Sequence, residues 1–113
     1  MPGMKLPNAE NARVDEDKIA GYLLSETHPD GRSKAEFFRG FGFKVEEWQL
    51  LAKELQAHGQ RYDVQNCVES KFGTRYSVDG EIETPSRRRP RIRSVWIVNK
   101  GSTTPRLITA HPA

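Results

Sequence analysis

The chain has 113 residues, 35% hydrophobic and 29% charged, and its ten aromatics set it apart from disordered chains. That length leaves room for one domain with one modest core. No stretch approaches the ~20 apolar residues of a membrane helix, residues 1–8 lack the apolar core of a signal peptide, and the single Cys67 excludes an intramolecular disulfide and a cysteine-based metal site. The net charge of +3 divides into about −4 over residues 1–84 and +7 over residues 85–113, which hold no acidic residue. These features predict a soluble cytoplasmic protein that does not engage a membrane, with a basic C-terminal segment suited to a polyanion.

Residues 1–12, rich in Pro and Asn, read as an irregular segment. Asp15 is placed to cap a first helix, with Glu16 and Asp17 in its first turn, where the dipole favours anions. Ile19, Tyr22 and Leu23 continue it at helical spacing. Residues 27–31, Thr-His-Pro-Asp-Gly, form a turn signal. Ser33-Lys34-Ala35-Glu36 has capping-box form and opens a second helix, faced by Phe37, Phe38 and Phe41 and closed by Gly40 and Gly42. Trp48, Leu51, Ala52 and Leu55 recur at i, i+3, i+4 and i+7, so a third helix is expected from about Val45 to His58, with Gly59 as its C-cap.

After Gly59 the period changes to two. Val64 to Phe72 alternate as a first strand, Gly73 marks a turn, and Tyr76 and Val78 share a face of a second strand ending near Asp79-Gly80. A polar loop covers residues 85–90. A third strand runs from Arg91 to Val98, with Ile92, Trp96 and Val98 on one face and Arg91, Arg93, Val95 and Ile97 on the other. That second face begins basic and becomes apolar, which suggests a core beneath it. A turn at residues 99–101 leads to a last strand from Pro105 to Ala110, with Leu107 and Thr109 on one face. Short connections favour antiparallel pairing. The expected fold is α+β: two to three N-terminal helices packed on a four-stranded antiparallel meander. Residues 1–113 are read as a single domain, with a helical half over 13–59 and a sheet half over 60–113.

Chemistry can gather at a few positions. Lys34 at the start of the second helix opposes the dipole but sits beside free backbone amides, which makes an anion-binding corner. The simpler reading is a solvated lysine. His28 lies in the turn feeding that helix and can act as acid or base near neutral pH, or stand as an exposed turn histidine. Arg93 and Thr109, on neighbouring strands, fit phosphate contacts, and His111 is either a second imidazole or part of a frayed end. His58, near a helix C-terminus, reads as a structural cation complementing the dipole. Arg75, Arg87, Arg88, Arg89, Arg91 and Arg106 supply salt-dependent affinity for a phosphate backbone. No paired His or Cys ligands and no glycine-rich phosphate loop occur, so no metal and no cofactor are expected.

The runs Leu6-Pro7-Asn8-Ala9-Glu10-Asn11-Ala12, Tyr22-Leu23-Leu24, His28-Pro29, Ser33-Lys34-Ala35, Phe37-Phe38 and Gly42-Phe43, then Gly73-Thr74-Arg75-Tyr76, Val95-Trp96-Ile97 and Pro105 to Ala110, resemble a family of small bacterial domains of unknown function. Such domains are similar to C-terminal modules of polymorphic toxins and occur beside small partner genes. The layout is also similar to metal-independent ribonuclease toxins of the barnase, EndoU, colicin and RelE type. The resemblance carries His28, Lys34, Arg93, Trp96, Arg106 and Thr109 into the site, and His111 stands where it implies an aromatic.

Two functions follow. One is a metal-independent endoribonuclease of bacterial toxin type, in which the RNA 2′-hydroxyl attacks the adjacent phosphate. His28 is then acid or base, Lys34 and Arg93 stabilise charge, and Thr109 orients the phosphate. Its partners are tRNA, rRNA or mRNA and a small acidic antitoxin or immunity protein. The other is a non-catalytic module that binds nucleic acid or a partner protein through the basic strands and has no need of His28.

Overall fold

The computed structural model describes residues 3–25 and 27–113, so Met1, Pro2 and Glu26 lie outside the described residues. The chain builds α1 (Glu16–Lys18), which runs on into a π-helical turn (Ile19–Leu23), then α2 (Arg32–Gly40). A 3₁₀ turn (Val45–Glu47) leads into α3 (Trp48–Arg61). Four strands follow: β1 (Val64–Ser70), β2 (Gly73–Glu81), β3 (Arg91–Asn99) and β4 (Arg106–Pro112). They form one antiparallel sheet in the order β1-β2-β3-β4, and three helices pack against it, as the α+β expectation had it. Among the described residues no helix is long and apolar enough to cross a membrane.

The core lies between the helices and one face of the sheet. Ile19, Leu23, Phe38, Leu51 and Leu55 from the helices meet Val78, Ile92, Trp96 and Leu107 from the strands, all fully or almost fully buried. Residues 6–12 belong to this core too. Leu6, Ala9 and Ala12 are buried, and the Gln60 and Gln56 side chains of α3 donate to Ala9 O at 3.2 Å and Ala12 O at 2.7 Å. The chain then covers the outer edge of β4: Arg13 N donates to Pro105 O at 2.8 Å and Leu107 N to Arg13 O at 2.9 Å. This satisfies backbone groups that an open edge would leave bare.

Several local expectations are corrected. Asp15 is the N-cap of α1 but makes no capping bond; its carboxylate pairs with Arg13 at 3.0 Å. α2 begins two residues early, with Gly31 as N-cap and no capping box, so Lys34 is its third residue. Gly31 fits there because a Cβ would strike the carbonyl of Tyr22. Gly59 does not end α3. It lies inside the helix, where a Cβ would stand 2.9 Å from the Trp96 ring. His58 is structural, as expected, but it is fully buried and bonded to Ser94 and Gly80 O rather than acting as a cation on the helix dipole.

The strand faces also differ from expectation. Ile92 and Trp96 face the helices, so Arg91, Arg93, Val95 and Ile97 look away from the core. Trp96 pairs with Leu107, but Val95 pairs with Thr109, and the register shift between them leaves Ile108 as a bulge. A one-residue bulge moves every later side chain to the other face. Leu107 is therefore a core residue, while Thr109 and His111 share the outer face with Val95 and Arg93.

Candidate functional site

The turn before α2 fixes His28. Asp30 N and Gly31 N donate to its Nδ1 at 3.1 and 3.3 Å, and Gly31 N also points at His28 O at 3.2 Å. Two donors on Nδ1 place the proton of the neutral ring on Nε2, so His28 presents an N–H. The imidazole meets Tyr22 edge to face, with centroids 4.9 Å apart at 83°. Tyr22 stands in the π-helical turn, where Leu24 N donates to Ile19 O at 2.8 Å. Such turns are rare and recur at functional sites.

Two ammonium groups flank the Tyr22 ring, Lys18 Nζ at 5.2 Å and Lys34 Nζ at 5.5 Å from its centroid. Burial alone would push the phenol up. The Thr109 hydroxyl and the two lysines outweigh that effect and hold it below its usual value. Thr109 Oγ1 closes no hydrogen bond and is a buried oxygen without a partner, so its influence on Tyr22 is one of proximity rather than a formed bond.

His28, Tyr22 and Thr109 line one cleft of about 430 Å³, with Lys18, Asp17 and Asp30 at its walls. A second cleft of about 310 Å³ is lined by Ser33, Lys34, His111 and Pro112. Lys34 links the two, since it also reaches the Tyr22 ring. His111 is part of β4, opposite Arg93, rather than frayed tail. Its Nδ1 lies 2.9 Å from Pro112 O. A carbonyl only accepts, so Nδ1 carries the proton and Nε2 offers a lone pair. The two histidines thus present opposite faces: a donor at His28 and an acceptor at His111.

The other expected residues fall elsewhere. The Arg93 guanidinium is held by Asp79 through Nε at 2.7 Å and Nη2 at 2.9 Å, and that bidentate bond keeps the Asp79 carboxyl below its ordinary value. It is not directed at His28. Trp96 is fully buried and its indole N–H donates to Ser94 Oγ at 2.8 Å, which removes it from the cleft. Arg75 and Arg106 flank Ile97 in one row across the outer face, with Arg106 Nη2 3.4 Å from Asn99 Oδ1. Arg91 pairs across the sheet with Glu81. Arg87, Arg88 and Arg89 sit in the exposed loop between β2 and β3, at the end of the sheet where His111 lies, and Arg89 pairs with Glu83 at 3.2 Å. Tyr22 and Lys18 were not among the expected site residues, because Tyr22 reads from its spacing as a helical core position. Among the described residues no three His, Cys, Asp or Glu side chains gather as metal ligands do.

No protein of curated function matches the chain. A solved chain from a contact-dependent growth inhibition toxin–immunity protein complex of Klebsiella pneumoniae 342 shares the fold, with a TM-score of 0.66 and 19% identity over 88% of this chain and 98% of that one. A family described as a domain of unknown function, DUF6883, matches residues 5–113, and the chain belongs to that family.

Proposed function

We propose that the protein is a toxin-type endoribonuclease that cleaves RNA without a metal, using the 2′-hydroxyl of the substrate as nucleophile. The observation that carries this is a pair of clefts, one lined by His28 and Thr109 and the other by Lys34 and His111, with the Lys34 ammonium 5.5 Å from the Tyr22 ring of the first. In this reading His111 Nε2 removes the 2′-hydroxyl proton. His28 Nε2–H and Lys34 Nζ bind the non-bridging phosphate oxygens as charge develops on them, usually the largest catalytic contribution. The uncapped amides at the start of α2 add to the same positive field. Thr109 Oγ1 is buried without an internal partner, so a phosphate oxygen that reached it would satisfy an otherwise unpaired hydroxyl. The expected acid or base role of His28 narrows to that of a hydrogen-bond donor, because Asp30 and Gly31 occupy its other nitrogen.

The fold shared with a chain from a toxin–immunity protein complex supports the toxin context and a protein partner. The test is cleavage of tRNA, rRNA and mRNA by purified protein in EDTA. Wild-type protein is expected to yield 2′,3′-cyclic phosphate ends, and His28→Ala and His111→Ala each to slow the reaction about 10²-fold or more. Intact RNA in every digest, with tight salt-sensitive binding, would instead make the protein a binding module.

A further inference from the structure

We propose that Tyr22 is the proton donor to the leaving 5′-oxygen, an assignment that rests on reading the cleft as a ribonuclease site. Cleavage by 2′-hydroxyl attack needs two proton transfers, one away from O2′ and one onto O5′. His111 Nε2 can take the first. His28 is poorly suited to the second, because its neutral N–H is a very weak acid. Its ring cannot gain a proton at Nδ1 without displacing the amides of Asp30 and Gly31. The Tyr22 hydroxyl remains as the acidic O–H of the cleft.

The surroundings of Tyr22 suit that task from three sides. Lys18 on the preceding turn and Lys34 on α2 each bring an ammonium group to within 5.5 Å of its ring, and Thr109 of β4 lines the same cleft. The phenolate left after proton transfer would be held by two cations and a hydroxyl, which is why the phenol is already easier to ionise than an isolated one. In the step itself the O2′–P bond forms and the P–O5′ bond breaks. The O2′ proton passes to His111 and the Tyr22 proton passes to O5′. Water then returns a proton to Tyr22 and takes one from His111.

The experiment compares natural RNA with RNA carrying a 5′-bridging sulfur at the scissile bond, whose thiolate departs without a proton. Tyr22→Phe is expected to slow cleavage of natural RNA by about 10²–10⁴-fold and to cut the sulfur substrate at the wild-type rate. Equal slowing on both substrates makes Tyr22 a positioning residue and overturns the assignment, as does unchanged cleavage of natural RNA. A second readout uses wild-type protein alone. A phenol that must keep its proton gives an alkaline loss of rate on natural RNA that is absent with the sulfur substrate. Titration of Lys18, Lys34, His28, Asp17 or Asp30 around it would instead alter both profiles alike. The same alkaline limb on both substrates overturns the proposal. Wild-type protein that cuts neither substrate overturns the nuclease reading first, and this role with it.

Discussion

His58 has both ring nitrogens committed inside the core. Its Nε2 lies 3.1 Å from Gly80 O and must donate there, so Nδ1 accepts from Ser94 Oγ at 2.8 Å, and that oxygen receives the Trp96 indole N–H. The chain of bonds is complete only when the ring is neutral. Burial, the largest influence, pushes the His58 pKa down, and the bond to Gly80 O offsets it only in part. The unfolded ring takes up a proton near pH 6.5, while the folded ring does so only at lower pH. Stability is therefore full above that value and declines as the pH falls below it. Asp79, held down by Arg93, acts in a separate window: its contribution is present above about pH 4 and lost in stronger acid. Urea unfolding at pH 7.5, 6 and 5 should show the first loss in wild-type protein and not in His58→Gln, which cannot titrate. Parallel curves for the two proteins would remove His58 from the account.

Glycines in two helices separate packing from propensity. Gly59 of α3 lies against the fully buried Trp96, so the Cβ of Gly59→Ala meets a ring that has no room to move. Overpacking of about 1–3 kcal/mol exceeds the roughly 1 kcal/mol that alanine gains in a helix, and the variant should lose stability. Gly40 at the end of α2 has nothing within 4 Å of its would-be Cβ, and Gly40→Ala should gain about 0.5–1 kcal/mol. Denaturant midpoints that shift in the same direction for both would show that crowding at Trp96 is not what decides. The same positions explain what could be read from the sequence. The third helix and the four strands were legible because their apolar periods are set by a core that each element faces. Gly59 was misread because a glycine that ends a helix and one that admits a ring look alike in sequence. The face of Thr109 was misread because the bulge at Ile108 is decided by pairing with β3, which the strand's own residues do not record. Tyr22 was not singled out because it follows helical spacing with Ile19 and Leu23, and it does pack partly against the core while also lining the cleft. His28 and Lys34 were legible as a pair since six residues separate them across one turn, but the tautomer of His28 depends on amides that only the folded turn aims.

Across the whole molecule the basic segment is not one array of equal charges. Arg93 is neutralised by Asp79, Arg91 faces Glu81 and Arg89 faces Glu83. Positive charge without an acidic cross-strand or ion-pair partner sits at the row of Arg75 and Arg106 and at Arg87 and Arg88 in the loop, on either side of the Thr109 and His111 positions along the sheet. An RNA strand seated at the cleft would meet both groups, and each phosphate neutralised releases condensed counterions. For single-stranded RNA the dependence of log affinity on log salt should then flatten by about 1.4 in Arg87→Ala/Arg88→Ala, and by a similar amount in Arg75→Ala/Arg106→Ala. Cleavage at saturating RNA should be little changed in either, because neither pair lines the cleft. Arg93→Ala provides the contrast. It removes a charge already matched by Asp79, so its effect belongs in protein stability and not in the salt slope. If Arg93→Ala flattened the slope as much as the loop pair did, the outer face of the sheet would be binding RNA through Arg93, and the division between paired and unpaired arginines would be wrong.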